Sequence, residues 1–317
     1  GVPPSGGRGR LDSGAGALTL ASRDILDSWG IWRQIAAAGA AIRAIHVSSR
    51  GRFGSAIMEA SDVGEAALGY VVENHHVGAA LLKLAADNGV LLQAPAGVTG
   101  IDVSGPSPLI LRGKEAPIPA DLVVIADGAD SALCRSLGVN TVKREVEQRA
   151  VAANVRFEGA SEGTAWERFT EHGPLALLPL PDDVAGSQRY NLIWSMHPDE
   201  SRAMENADDA EFLQALQRAV GWRLGRLTDV GRRTAWNLSR IAVQEQVRAG
   251  VVIAGNAAHT LHPVAGQGFN LSLRDASRLA QILAVNRDSD EGSVSLPVLR
   301  RYESAVGKDQ QETTRAT

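Results

Sequence analysis

The sequence predicts an α/β fold, α+β overall, that combines a Rossmann-like three-layer domain with an antiparallel-sheet domain. Three observations predict it. Leu122-Val123-Val124-Ile125-Ala126 is wholly apolar and ends in Asp127-Gly128, and Val251-Val252-Ile253-Ala254 is a second such run, ending in Gly255-Asn256. Short apolar runs that close on a glycine turn read as strands buried on both faces of a parallel sheet, whose ligands collect at the carboxyl ends. Residues 145–245 then change to alternating patterns, the period of antiparallel strands with one covered face.

Composition sets the outer bounds. The 317 residues suffice for one large core or two smaller ones. With 44% apolar and 21% charged residues the chain is expected to be globular, and a net charge of -4 gives no reason to expect nucleic acid as a partner. No apolar run approaches the length of a membrane span, and no internal repeat is visible. The one cysteine, Cys134, forms no internal disulfide and fits a reducing compartment.

Taken in order, residues 1–16 are glycine-rich and are expected to form a flexible terminus. Gly14 and Gly16 do not make a phosphate-binding fingerprint, because the third position falls on Thr19 and no strand-like run precedes them. Residues 18–32 are predicted helical, with Leu18, Ile25, Leu26 and Trp29 on one side. Residues 41–47 and 53–58 read as strands around the turn Ser49-Arg50-Gly51, and 68–74 as another extended run. Residues 77–88 form an amphipathic helix stopped by Gly89. A strand restarts at 90–94, and a small meander leads to Leu111. Further strands are expected at 150–157, 166–170, 175–180, 190–196 and 235–238, with a helix at 208–220 between them. After a helix ending near Val285, residues 296–306 give a short helical piece before a polar tail. The domain division expected from this order is 1–44, 74–145 and 246–317 for the first domain, 45–73 and 146–245 for the second.

The turns carry more specific wording. Asp127-Gly128-Ala129-Asp130-Ser131 with Arg135 resembles the DGxxSxxR-type turn of FAD-dependent aromatic hydroxylases. Gly255-Asn256-Ala257-Ala258-His259 resembles their GDAAH motif, and Pro263 to Asn270 the loop beneath their flavin. Leu68 to Asn74, Glu167 to Thr170, Gly173 to Leu180, Gly221 to Gly225 and Phe269-Asn270-Leu271 with Arg274-Asp275 are similar to the ubiquinone-biosynthesis branch. The resemblance runs from about Ala17 to Tyr302.

What it implies is an FAD-binding domain with an antiparallel-sheet substrate domain. It implies FAD contacts from Glu73, Asp127, Gly128, Arg135, Gly255, Asn256, Ala257, Pro263, Gly266, Gln267, Gly268, Phe269 and Asn270. Asn256 replaces the family's acidic residue and still donates and accepts hydrogen bonds. Glycines at 266 and 268 let backbone approach a ligand, and the following helix N-terminus favours negative charge. The implied reaction uses NADH or NADPH to reduce FAD, captures O2 as a flavin hydroperoxide and transfers one OH to a prenylated phenol of ubiquinone biosynthesis. Leu175, Leu177 and Pro179 are expected to line the substrate, and no catalytic side chain is assigned. A lipid-tailed substrate implies a cytoplasmic protein with peripheral contact to the inner membrane or to a ubiquinone-biosynthesis complex.

No metal is expected: His259 and His262 form an H-x-x-H pair without a third ligand, and His75-His76 read as cap or surface residues. The family's GxGxxG βαβ unit falls, by the resemblance, before residue 1, and the arginine it carries just before Ala15 is Gly14 here. The expectation is a sheet lacking its central strand and the adenine half of the site, with weak FAD retention. The alternative is a truncated, non-catalytic binding or scaffold subunit.

Overall fold

The computed structural model describes residues 14–159, 163–182, 187–261, 266–287 and 294–316. In chain order the first elements are β1 (Ala15–Thr19), α1 (Leu20–Ser28), α2 (Trp32–Ile35), β2 (Gly39–Ile42), β3 (Ala44–Ser49), β4 (Ser55–Glu59), β5 (Gly69–Glu73) and α3 (Asn74–Asp87). Then come β6 (Gly100–Asp102), β7 (Leu109–Arg112), β8 (Glu115–Pro119), β9 (Val123–Ile125) and α4 (Ala132–Ser136). The middle of the chain forms β10 (Thr141–Glu158), β11 (Thr164–Thr170), β12 (Gly173–Pro179), β13 (Ser187–Met196), α5 (Pro198–Asn206), α6 (Asp209–Val220), β14 (Leu227–Val230) and β15 (Thr234–Val243). The last elements are β16 (Val247–Arg248), β17 (Val251–Ile253), β18 (His259–Thr260), α7 (Gln267–Val285) and α8 (Leu296–Ala316).

By contact the chain divides into two units, Gly1–Val90 with Val146–Leu238 and Pro263–Gly266, and Leu91–Glu145 with Ser239–His262 and Gln267–Thr317. Residues 1–44 and 74–90 therefore fall with 146–238, whereas the sequence division groups them with 91–145.

In the first unit a small antiparallel sheet runs β1-β5-β2. The larger sheet runs β10-β13-β12-β11-β3-β4, antiparallel except where β11 and β3 pair in parallel with Trp166 opposite His46. Its register decides which side chains share a face. Trp166, Leu177, Leu192 and Ala153 form one row across the sheet, and Glu167, Ala176, Ile193 and Ala152 the next. Because successive side chains alternate, the two rows point to opposite faces. The first face packs on α6, where Leu175, Leu177, Tyr190 and Leu192 are buried with Phe212 and Leu216. Helix α6 begins where the Asp208 carboxylate accepts from the Glu211 N–H at 2.8 Å, an N-cap, and closes on Gly221 at φ +83°. The opposite face holds Ala165 and Leu180 against Ile42 and Val71, so the small sheet lies on that side.

In the second unit β17 pairs in parallel with β9 and antiparallel with β16. The meander β6-β7-β8 is a separate antiparallel sheet. Helices α7 and α8 pack together, with Leu279, Leu299 and Tyr302 buried beside Val247 and Val252.

Four local expectations are corrected. Ala15–Thr19, taken as part of a flexible end and the start of a helix, is a strand, because β5 supplies it with backbone partners and Thr19 Oγ1 caps α1 by accepting from the Ser22 N–H. Residues 90–94 are irregular, with Val90, Leu91 and Leu92 all exposed and no ladder partner among the described residues. The β9 strand is not buried on both faces: Val123 and Ile125 are covered, but Val124 is 46% exposed. The expected short helix and polar tail are one helix of 21 residues, held by side-chain bonds to α7.

Candidate cofactor site

The second unit brings two of the sequence-predicted turns together. Ile253 lies opposite Ile125 in the parallel pair, and the Ala254 N–H donates to the Ile125 carbonyl at 2.9 Å. Both strands then run into turns at the same sheet end, one through Asp127-Gly128 and the other through Gly255-Asn256-Ala257. Each turn needs a glycine: Gly128 has φ +101° and Gly255 φ +59°, a region that other residues rarely adopt. Among the described residues nothing lies within 4 Å of where a Cβ on Gly128 would stand, so none of them crowds the backbone there. The Asp127 and Asn256 side chains are exposed, while Ala257 is buried in the core beneath.

Behind these turns stands α7. A Cβ on Gly255 would meet Ser272 Oγ at 3.7 Å, which places the turn against the first turns of that helix. Its N-terminal residues Gln267 and Gly268 are part-exposed, Phe269 is 43% exposed and Asn270 is fully buried. A buried pair fastens the arrangement: His259 Nε2 lies 2.7 Å from Asp275 Oδ2, and Gln310 of α8 donates to the same oxygen at 2.8 Å. His259 is thus committed to a carboxylate. Arg135 is exposed, and its guanidinium donates to the Asp130 carbonyl at 2.8 Å, bracing the first turn from within. Pro263 and His262 lie outside the described residues.

Two predicted cofactor residues belong to the first unit. Gly266 has φ +61°, and a Cβ there would meet Ala17 of β1 at 3.4 Å. Glu73 is 6% exposed and forms a buried ion pair with Arg189, 3.1 Å apart. His75 and His76 bring their ring nitrogens within 4.8 Å of the Glu73 carboxylate, and burial, then the neighbouring His75, pushes the His76 pKa down. Arg189 lies on the register face that carries Glu167, Ala176 and Leu178, so Glu73 stands on that side of the large sheet. Leu175, Leu177 and Pro179 alternate to the other face, toward α6. Sequence reading missed Arg189 and Gln310, which lie in stretches without a distinguishing pattern. Asp275 was visible as part of a motif, but not as the partner of His259.

Glycine turns at neighbouring parallel strand ends, backed by a helix N-terminus, define a nucleotide-cofactor fold with an added antiparallel-sheet domain. The chain belongs to the FAD binding domain family, whose model matches residues 12–305. It is 31% identical over 289 residues to 3-demethoxyubiquinol 3-hydroxylase of Escherichia coli, covering 90% of this chain and 72% of that protein. It is 32% identical over 298 residues to ubiquinone hydroxylase UbiL of Rhodospirillum rubrum, covering 92% and 67%. The fold is that of Pseudomonas aeruginosa PqsL, solved with 2-aminobenzoylacetate, at a TM-score of 0.75 and 18% identity over 96% of this chain and 84% of that one.

Proposed function

We propose that the protein is an FAD-dependent monooxygenase that hydroxylates the phenol ring of a prenylated precursor in ubiquinone biosynthesis, with NADH or NADPH as co-substrate. The observation that carries this reading is the pair of glycine turns on the carboxyl ends of β9 and β17, in a chain whose relatives include ubiquinone hydroxylases.

The residues present fit such a cofactor. The uncrowded backbone of Gly128 and the bare backbone of Gly255 admit a close polar ligand. The exposed Asp127 and Asn256 side chains offer an acceptor and a donor–acceptor pair to sugar-alcohol hydroxyls. The N-terminal end of α7 favours negative charge through the helix dipole, by about 0.3–1 kcal/mol at an exposed terminus. When bound, FAD supplies the redox chemistry that joins NAD(P)H oxidation to oxygen transfer.

The protein's own part is to bind, orient and exclude water. On the Glu73 side of β12, Ala176 and Leu178 present a part-exposed apolar wall suited to a ring with a hydrocarbon tail. Leu175 and Leu177 stiffen that strand from behind by packing on α6, and Pro179 alternates to the same face. A lipid-tailed substrate is taken up from a membrane surface, and no described helix is long and apolar enough to cross one. The test is incubation of the FAD-loaded protein with NAD(P)H, labelled O2 and a prenylated phenol. Incorporation of one labelled oxygen into the ring supports the reading. NAD(P)H oxidation that yields only peroxide, with every substrate, refutes it.

A further inference from the structure

The face of the large sheet that packs on α6 carries a second feature, separate from the turns described above. Between β3, β11 and the segment leaving α6 lies a cavity of about 480 Å3, within the range of small-ligand sites. Its floor is apolar, made by Trp166, Leu175 and Leu177. Its titratable lining is His46, Glu167, Arg168 and Arg223, with the exposed Arg52 at the rim. Trp222, 73% exposed, stands at its mouth with the wholly exposed Phe53.

Charge is what sets this cavity apart. His46 is only 4% exposed, and its Nε2 meets the Arg223 guanidinium. The imidazole ring lies against Trp166 with centroids 4.5 Å apart. Burial pushes the His46 pKa down, and the charges of Arg223 and Arg168 push it further, so the ring is neutral beside two cations. Among the described residues neither guanidinium is paired with a carboxylate. Glu167 borders the cavity but is not their partner: burial alone acts on it, pushing its pKa up, with no contribution from an arginine.

Two uncompensated guanidiniums over an indole-and-leucine floor complement a flat organic anion. Guanidinium forks match the geometry of a carboxylate, and an aromatic body covers the apolar floor. A compact inorganic anion leaves that floor and the exposed Trp222 unused. We propose that this cavity, on the sheet face opposite Glu73, binds a small aromatic carboxylate. The site is independent of the cofactor turns and of the reaction proposed above.

Calorimetric titration of the full chain with benzoate tests it, with benzyl alcohol and inorganic phosphate as the other probes. Saturable binding of benzoate is expected, with no binding of benzyl alcohol. Arg168→Gln and Arg223→Gln should each weaken it about ten-fold or more, the loss of one charged hydrogen bond. Arg223 is exposed, so its replacement spares the core. The exposed Lys114→Gln should bind as the parent does. The proposal is overturned by unchanged affinity in both arginine variants. It is equally overturned if benzyl alcohol binds as well as benzoate, if phosphate binds as well as benzoate, or if no saturation occurs by about 10 mM.

Discussion

Glu73 and Arg189 show how one residue can hold a whole face in place. Their side chains are 8% and 1% exposed and 3.1 Å apart, and Arg189 also donates to the Pro181 carbonyl. Glu73→Gln removes one charge of this buried pair, which should cost about 3–5 kcal/mol in urea unfolding. The double replacement Glu73→Leu with Arg189→Leu should cost less than the single one, since both charges of the pair are removed together. A double variant that is the less stable of the two would mean the pair stabilises outright. Glu167 supplies a pH dependence with the opposite origin. Burial raises its pKa, so the folded state holds the proton more tightly than the unfolded chain does. Stability from this group is full below the unfolded carboxyl range and falls as pH rises toward the raised value. Glu167→Gln should therefore raise the melting temperature at neutral pH and lose that advantage in acid, measured as Tm at several pH values. At this scale the sequence was half legible. Glycine turns and exposed polar residues were readable because backbone conformation demands them. The direction of Leu175 and Leu177 was not, because Pro174-Leu175-Ala176-Leu177-Leu178-Pro179 is apolar at every position and shows no alternation.

Elements were legible where the pattern lies within the segment and not where a partner creates it. Helix α6 and strand β5 stand within a residue or two of their predicted limits, since period and caps are local. Strand β1 is made of small residues with no periodic pattern, and only its pairing with β5 defines it. Helix α8 continues through a polar stretch because Arg274 grips Asp309 with two bonds, of 2.7 and 3.0 Å. Tight turns between elements are set by space as well as by φ. Gly225 has φ +84°, and a Cβ there would fall 2.0 Å from the Glu158 carbonyl oxygen. Gly30 has φ +73° but no described residue within 4 Å of such a Cβ. Gly30→Ala should cost about 1–2 kcal/mol, the left-handed penalty alone. Gly225→Ala adds a backbone clash and should cost about 3 kcal/mol or more. Equal losses in urea unfolding would show that the β14 approach relaxes freely.

The whole molecule is two cores interleaved in one chain, and the sequence order conceals how they are shared. Trp166 pairs in parallel with His46, and β5 holds β1, so residues far apart in sequence belong to the first unit. Motif order identified the family, because the turns at Asp127 and Gly255 are compact signatures, whereas domain limits depend on such distant pairings. Cys134 offers a reporter for the second unit as a whole. It is the one cysteine, 3% exposed, in the core with Ile125 and Ile253. Burial pushes its pKa up, so the reactive thiolate is scarce in the native state and labelling requires opening. Its N–H donates to Ser131 Oγ at 2.9 Å, directly after the Asp127 turn. Opening that exposes Cys134 must therefore disturb one of the two turns proposed to hold FAD. A ligand present at a hundred times its Kd stabilises the closed form by about 2.7 kcal/mol. FAD at that excess should slow thiol labelling about a hundred-fold, read with a chromogenic disulfide, while denaturant releases one thiol per chain. Labelling that saturating FAD leaves unchanged would remove the Asp127 turn from the cofactor site, because opening that turn would then cost the ligand nothing.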